Sequence, residues 1–63
     1  MNQRLLLIEQ TLAEFKKHKE LELRKADQEE ARENYQMKYY HLGRADGLDL
    51  LLSRLEFIKN LGE

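Results

Sequence analysis

Gly43-Arg44-Ala45-Asp46-Gly47 is the stretch whose reading decides the fold. The chain has no proline and three glycines, the third being Gly62, so residues 43–47 hold the strongest helix-stop signal ahead of the C-terminus. Broken there, the chain is a lopsided hairpin; unbroken, it is one rod. The case for a break is local. Gly43 follows the apolar Leu42 as a terminating glycine does, and Asp46 is a candidate cap for a following helix, with Asp49 near its positive end. The case against is phase, because the apolar pattern crosses 43–47 without slipping. Gly43 and Gly47 also stand at i,i+4, where a continuous helix places both on one face, at a cost of about 1 kcal/mol each relative to Ala. The hairpin has the advantage, since a lone rod leaves a wide C-terminal apolar face uncovered. The expectation is an all-α chain with a long N-terminal helix over about 2–42 and a short C-terminal helix over about 47–61. The alternative is one continuous helix through Gly43–Gly47.

At 100° per residue a single stripe runs through Leu5, Ile8, Leu12, Phe15, Lys19, Leu23, Ala26, Glu30, Glu33, Met37, His41, Arg44, Leu48, Leu51, Leu55 and Ile58. Its steps of three and four average between 3.5 and 3.6, which predicts straight helices or weak supercoiling. The stripe has three zones. Leu5 to Phe15 is apolar, Lys16 to Asn34 is mostly charged, and Tyr35 to Leu61 is apolar again. The charged zone is still helical by propensity, being almost entirely Lys, Glu, Leu, Arg, Ala and Gln. Glu20–Arg24, Lys16–Glu20 and Lys25–Glu29 add i,i+4 pairs worth ~0.2–0.5 kcal/mol each. Asn2 reads as an N-cap and Gly62 as a C-terminal glycine.

Size and composition narrow the classes. Sixty-three residues make at most one small domain, and a core of this size supplies only about 3–5 kcal/mol unaided. Cysteine is absent, so no disulfide adds to it. A second subunit is the expected reinforcement. Charged residues are 37% of the chain, 12 acidic against 11 basic. That balance gives no net field to attract nucleic acid or an anionic membrane. No apolar run approaches the ~20 residues of a membrane span, and the expected location is the cytoplasm.

Leu48, Leu50, Leu51, Leu55, Phe57, Ile58 and Leu61 cover about half of the C-terminal helix, whereas one neighbour needs an arc of only ~100°. Two neighbours are therefore expected. One is the first helix, met through Tyr35, Tyr39 and Leu42; the other is a second chain. Residues assigned to hairpin packing or partner binding are Tyr35, Tyr39, Leu42, Gly43, Gly47, Leu48, Leu51, Leu55, Phe57 and Ile58. For the homodimer, two copies of residues 5–44 laid antiparallel, with the axis between 24 and 25, bring Lys19 against Glu30, Leu12 against Met37 and Ile8 against His41. A parallel pair stacks Lys19 on Lys19. The expected assembly is an antiparallel, coiled-coil-like homodimer with Leu5, Ile8, Leu12, Phe15, Lys19, Leu23, Ala26, Glu30, Met37 and His41 in its interface.

Catalytic chemistry finds little material. Ser53 and Thr11 are the only hydroxyl side chains of their kinds, Ser53 has no His at helical spacing, and no phosphate-binding or zinc motif is present. Glu14, His18 and Glu22 share a face, which reads as helix-surface ion pairing rather than a metal site. No cofactor is expected. Lys16, Lys17 and Lys19 flank His18, with Arg24 and Lys25 following, and this basic run supports an alternative reading as a nucleic-acid-associated regulator. The interleaved Glu14, Glu20 and Glu22 blunt its field. Tyr35, Tyr39, Tyr40 and Met37 form an aromatic cluster suited to packing or a protein surface.

The stretch Tyr39-Tyr40-His41-Leu42-Gly43-Arg44-Ala45-Asp46-Gly47-Leu48, followed by Leu51, Leu52 and Leu55, resembles the tail of short helical proteins encoded by phages and prophages of Gram-positive bacteria. The resemblance covers the last third of the chain. It implies a small accessory protein in the host cytoplasm that binds, and in some cases inhibits, a host or phage protein. With the composition, it makes a non-enzymatic helical interaction module the expected function.

Overall fold

The computed structural model describes residues 3–62. Asn2, read above as the first N-cap, lies outside the described residues. Two helices, α1 (Gln3–Ala31) and α2 (Tyr35–Leu61), pack against each other as a hairpin. The expected hairpin is present, but its turn is at residues 32–34 rather than 43–47, so the helices are nearly equal in length, at 29 and 27 residues. The expected ranges of about 2–42 and 47–61 are corrected accordingly. Helix runs without interruption through Gly43–Gly47, yet the chain is not a single rod.

The turn is built from backbone hydrogen bonds. Asn34 N–H donates to the Glu29 carbonyl at 2.9 Å, and Glu33 N–H donates to the Glu30 carbonyl at 3.0 Å. This pair of bonds is the Schellman closure of a helix C-terminus. It requires a left-handed residue next to last, and Glu33 supplies it at φ 60°. Asn34 then starts the next helix, its side-chain oxygen accepting from Met37 N–H at 3.4 Å. One residue thus closes α1 and caps α2.

Burial explains why the chain turns there rather than at its glycines. A non-glycine residue in the left-handed region costs roughly 1–2 kcal/mol. A break at 43–47 leaves the first half of α1 without a partner, whereas a break at mid-chain lets Leu5–Phe15 meet Leu48–Leu55. Burying even one leucine is worth about 1.5–3 kcal/mol, so packing outweighs the local strain. The glycines are ordinary helical residues: neither has positive φ, and a Cβ on either would meet nothing within 4 Å. Gly62 caps α2 in the right-handed region, at φ −78°, its N–H donating to the carbonyls of Ile58 and Lys59.

Three ion pairs mark the register: Glu30–Lys38, Lys19–Asp49 and Glu9–Lys59. The residue numbers in each pair sum to 68, so the antiparallel alignment holds from turn to open end without a slip. Inward positions are Leu5, Ile8, Leu12, Phe15, Lys19, Glu22, Ala26 and Glu29 on α1, and Lys38, His41, Ala45, Leu48, Leu52, Leu55 and Lys59 on α2. Both series step 3, 4, 3, 4. This is the heptad spacing of a two-helix seam; the expected stripe leaves that alternation at Lys19–Leu23 and at Met37–His41, where two steps of four fall in succession. Leu23, Met37, Leu51 and Ile58, assigned to the stripe, lie on the edges instead, 37–48% exposed.

The seam is graded. Its half near the open ends is apolar; its half near the turn is polar, with Ala26 and Ala45, each 2% exposed, as its most buried members. The hairpin measures 49 × 15 × 9 Å between Cα extremes, so no third layer covers either helix. Neither described helix is long and apolar enough to cross a membrane.

Replacing Glu33 with Gly removes the left-handed strain and is expected to raise stability by about 1 kcal/mol. Asn34→Ala is expected to lower it by about 1 kcal/mol through loss of the cap. Gly43→Ala and Gly47→Ala are each expected to raise helix stability by about 1 kcal/mol. Thermal unfolding followed by circular dichroism measures all four. At concentrations where the chain is monomeric, a loss of stability on either Gly→Ala change would return the turn to 43–47.

Candidate functional site

Glu22 is the one buried charged side chain among the described residues, 6% exposed at the middle of α1. It occupies an inward heptad position between Lys19 and Ala26, and α2 supplies its partners. His41 Nδ1 lies 2.6 Å from one carboxylate oxygen, and Arg44 Nε donates to the other at 3.1 Å. An ionised carboxylate only accepts, so the proton between Glu22 and His41 sits on Nδ1. Arg44 also donates to the Tyr40 hydroxyl at 3.1 Å, with its guanidinium 5.6 Å from the Tyr40 ring centre. The Tyr40 and His41 rings meet edge to face at 5.1 Å. The cluster is pinned across the seam by the small neighbours Ala26 and Ala45.

These contacts set the charge of Glu22. The His41 hydrogen bond holds its carboxyl below the ordinary 4.5; burial pushes the other way, and Arg44 adds to the lowering. The Tyr40 and Glu22 hydrogen bonds raise the Arg44 guanidinium further above its usual range. The result is a charge-balanced polar knot. Thr11 and Ser53 donate their hydroxyls to the carbonyls of Leu7 and Asp49, one turn back on their own helices.

The two edges of the hairpin differ. Lys19, Lys38 and Lys59 leave the seam toward one edge, where Asp49, Glu30 and Glu9 receive them. The Glu30 carboxylate raises the Lys38 pKa above its ordinary value. That edge also carries a shallow cleft beside the Lys19–Asp49 pair, lined by Leu23, Leu52, Ser53 and Glu56 among others, and the other edge carries two. His18, Glu22, Arg44, Gly47, Leu48 and Leu51 line one; Arg4, Leu5, Ile8, Ile58, Lys59 and Leu61 lie around the other.

The residues singled out from the sequence fall into three groups. Leu5, Ile8, Leu12, Phe15, Lys19, Ala26 and His41, assigned to an interchain interface, lie in the seam within one chain. Lys19 meets Asp49 of its own chain and Glu30 meets Lys38, so the Lys19–Glu30 match between copies is replaced by pairs inside the hairpin. Leu48 and Leu55 are also in the seam, with Leu42 half-buried beside it. Tyr35, Tyr39, Leu51, Phe57 and Ile58 are exposed, from 48% to 64%, and remain open to a partner. Of the basic run, Lys19 is paired with Asp49, Lys25 is half-buried beside the seam, Lys16 is exposed, and Lys17 and Arg24 share an outer cleft of α1 with Glu20 and Leu21. Among the described residues no three His, Asp or Glu gather to hold a metal ion.

Glu22 is a seam residue that the expected stripe does not include: the stripe steps from Lys19 to the apolar Leu23, while the heptad step leads to Glu22. The detectable signal was a carboxylate at a heptad position with His and Arg elsewhere in the chain.

Outside the seam, the C-terminal half of α2 leaves Leu50 (65%), Leu51, Phe57, Ile58 and Leu61 (70%) exposed. Compared with family models, with curated proteins and with solved structures, the chain matches none.

Glu22→Ala leaves the polar knot without its acceptor and is expected to destabilise the hairpin by about 1–3 kcal/mol. Glu22→Leu, which also removes the buried charge but fills the seam, is expected to be near neutral or stabilising. Because folding lowers the Glu22 pKa, its contribution is fully present above the ordinary value of 4.5 and is lost as pH falls below that through the folded-state value. Urea denaturation across pH 3–7 is expected to show a shallower acid-side fall for Glu22→Gln than for the parent chain.

Proposed function

We propose that the chain is a non-enzymatic helical interaction module that associates with itself and binds a second protein. The observation carrying this reading is the apolar outer surface of α2. Leu50, Leu51, Phe57, Ile58 and Leu61 remain 48–70% exposed after the hairpin has formed. Among the described residues Leu12, Ala26, Ala45 and Leu52 are the fully buried apolar side chains, against thirteen large apolar side chains left exposed. Large exposed apolar patches on small proteins mark interaction sites.

The polar knot supports the same reading. Its carboxylate, imidazole and guanidinium are spent on one another, which suits the holding of a register. The likeness of residues 39–48 to phage-encoded tails adds a class of target, a host or phage protein whose action the module inhibits or regulates. On this reading α2 provides the sticky surface, and the charged outer face of α1 keeps the assembly dispersed.

Sedimentation equilibrium tests the self-association. The parent chain is expected to sediment above its 7.6 kDa monomer mass as concentration rises, and Leu51→Glu with Ile58→Glu is expected to weaken association at least about tenfold, each replaced side chain lying at the edge of the patch. A parent chain that stays monomeric at millimolar concentration, with or without those changes, overturns the self-association half of the reading.

A further inference from the structure

α2 carries a second heptad outside the seam. Gly43, Gly47, Leu50, Arg54, Phe57 and Leu61 follow one another at steps of 4, 3, 4, 3 and 4. The inward series on the same helix alternates in the same way, and this outer series is rotated to the side away from α1. Its large apolar members stand open, with Leu50 at 65%, Phe57 at 61% and Leu61 at 70% exposure. Its two glycines have open space where a Cβ would be, so nothing inside the hairpin accounts for their small size. The outward positions of α1 have no such series, reading Gln10, Glu14, Lys17, Arg24 and Gln28 with Leu7 and Leu21. A heptad of apolar and small residues is the pattern of a helix seam, and α2 has two of them.

We propose that a second copy of this chain packs on the outer seam, α2 against α2, antiparallel about a two-fold axis midway between Leu50 and Arg54, which sets Gly43 level with Leu61 and Gly47 level with Phe57 of the other copy. The proposal rests on the self-association reading above and gives it a surface and a direction. Self-complementarity singles out the second copy. In an antiparallel pair each glycine comes level with a large side chain of the other copy, so the helices approach closely and the large residues fill the space. A parallel pair stacks glycine on glycine and Arg54 on Arg54, joining a void to a like-charge contact. Arg54 is the only charge in the series, so the seam has little with which to select a charged partner of another kind. The symmetric contact is isologous and closes on itself, giving four helices with both α2 at the centre and the charged α1 helices outside.

Single-cysteine variants test this directly, since the chain has no cysteine of its own. Leu50→Cys places two thiols close to the axis, and a short bismaleimide is expected to join them into a covalent dimer. Leu61→Cys lies near an end of the seam, so at 1.5 Å per residue its two copies stand at least about 25 Å apart, and no crosslink is expected. Leu50→Glu with Phe57→Glu is expected to weaken the dimer at least about tenfold while leaving helicity, read by circular dichroism, unchanged at low concentration. Crosslinking at Leu61→Cys as efficient as at Leu50→Cys overturns the antiparallel seam. A dimer that crosslinks at neither position overturns the surface; in both cases self-association stands. A chain that never dimerises overturns the proposal and the self-association together.

Discussion

Everything in this hairpin depends on the level at which the two helices meet, and Glu22 sets it. Leucine seams supply burial but tolerate a slide of one heptad, because one leucine packs much like another. A buried carboxylate does not tolerate it. Sliding α2 by seven residues takes His41 and Arg44 away from Glu22 and leaves a desolvated charge, at a cost far above the loss of a neutral contact. The three lysine–carboxylate pairs along one edge repeat the same alignment. Being largely solvent-exposed they are worth only about 0–1 kcal/mol each. They agree with the register more than they enforce it.

Much of the architecture was legible in the chain. The absence of proline, the run of helix-forming residues and the doubly apolar C-terminal segment together point to packed helices, and two packed helices are present. The apolar half of the seam, from Leu5 to Phe15, was readable from spacing alone. The turn was not, and the reason is specific. Glycine is the usual sign of a left-handed residue at a helix end, and here Glu33 takes that conformation while Gly43 and Gly47 stay helical. The decision is made by distant packing, which no five-residue window contains. The change of composition at Asn34 and Tyr35 did mark the place, as a boundary between zones. Beyond the turn the stripe and the seam agree at His41, Leu48 and Leu55, while the stripe takes Met37, Arg44, Leu51 and Ile58 where the seam has Lys38, Ala45, Leu52 and Lys59.

The wide apolar arc of the C-terminal helix was legible as well. An arc twice as wide as one neighbour requires implied a second contact for the C-terminal helix, and Leu50, Phe57 and Leu61 are indeed left open by the first. What the sequence obscured was the division of labour. Residues expected to join two chains, such as Leu12 and Ala26, close the hairpin on itself, and the outer side of α2 is left for other contacts.

The grading of the seam has a consequence for how the hairpin closes. The contacts nearest the turn span the shortest loops and are entropically the easiest to form. They are also the polar ones, whose net worth is small. The leucine layers at the open ends carry most of the burial, but forming them first means closing a loop of most of the chain. Neither end can therefore hold without the other. A half-zipped hairpin has met the entropic cost of the turn and gained little for it, so such forms should be sparsely populated. Helix formation, register and burial are then expected to arrive in one cooperative step rather than spread outward from residues 32–34.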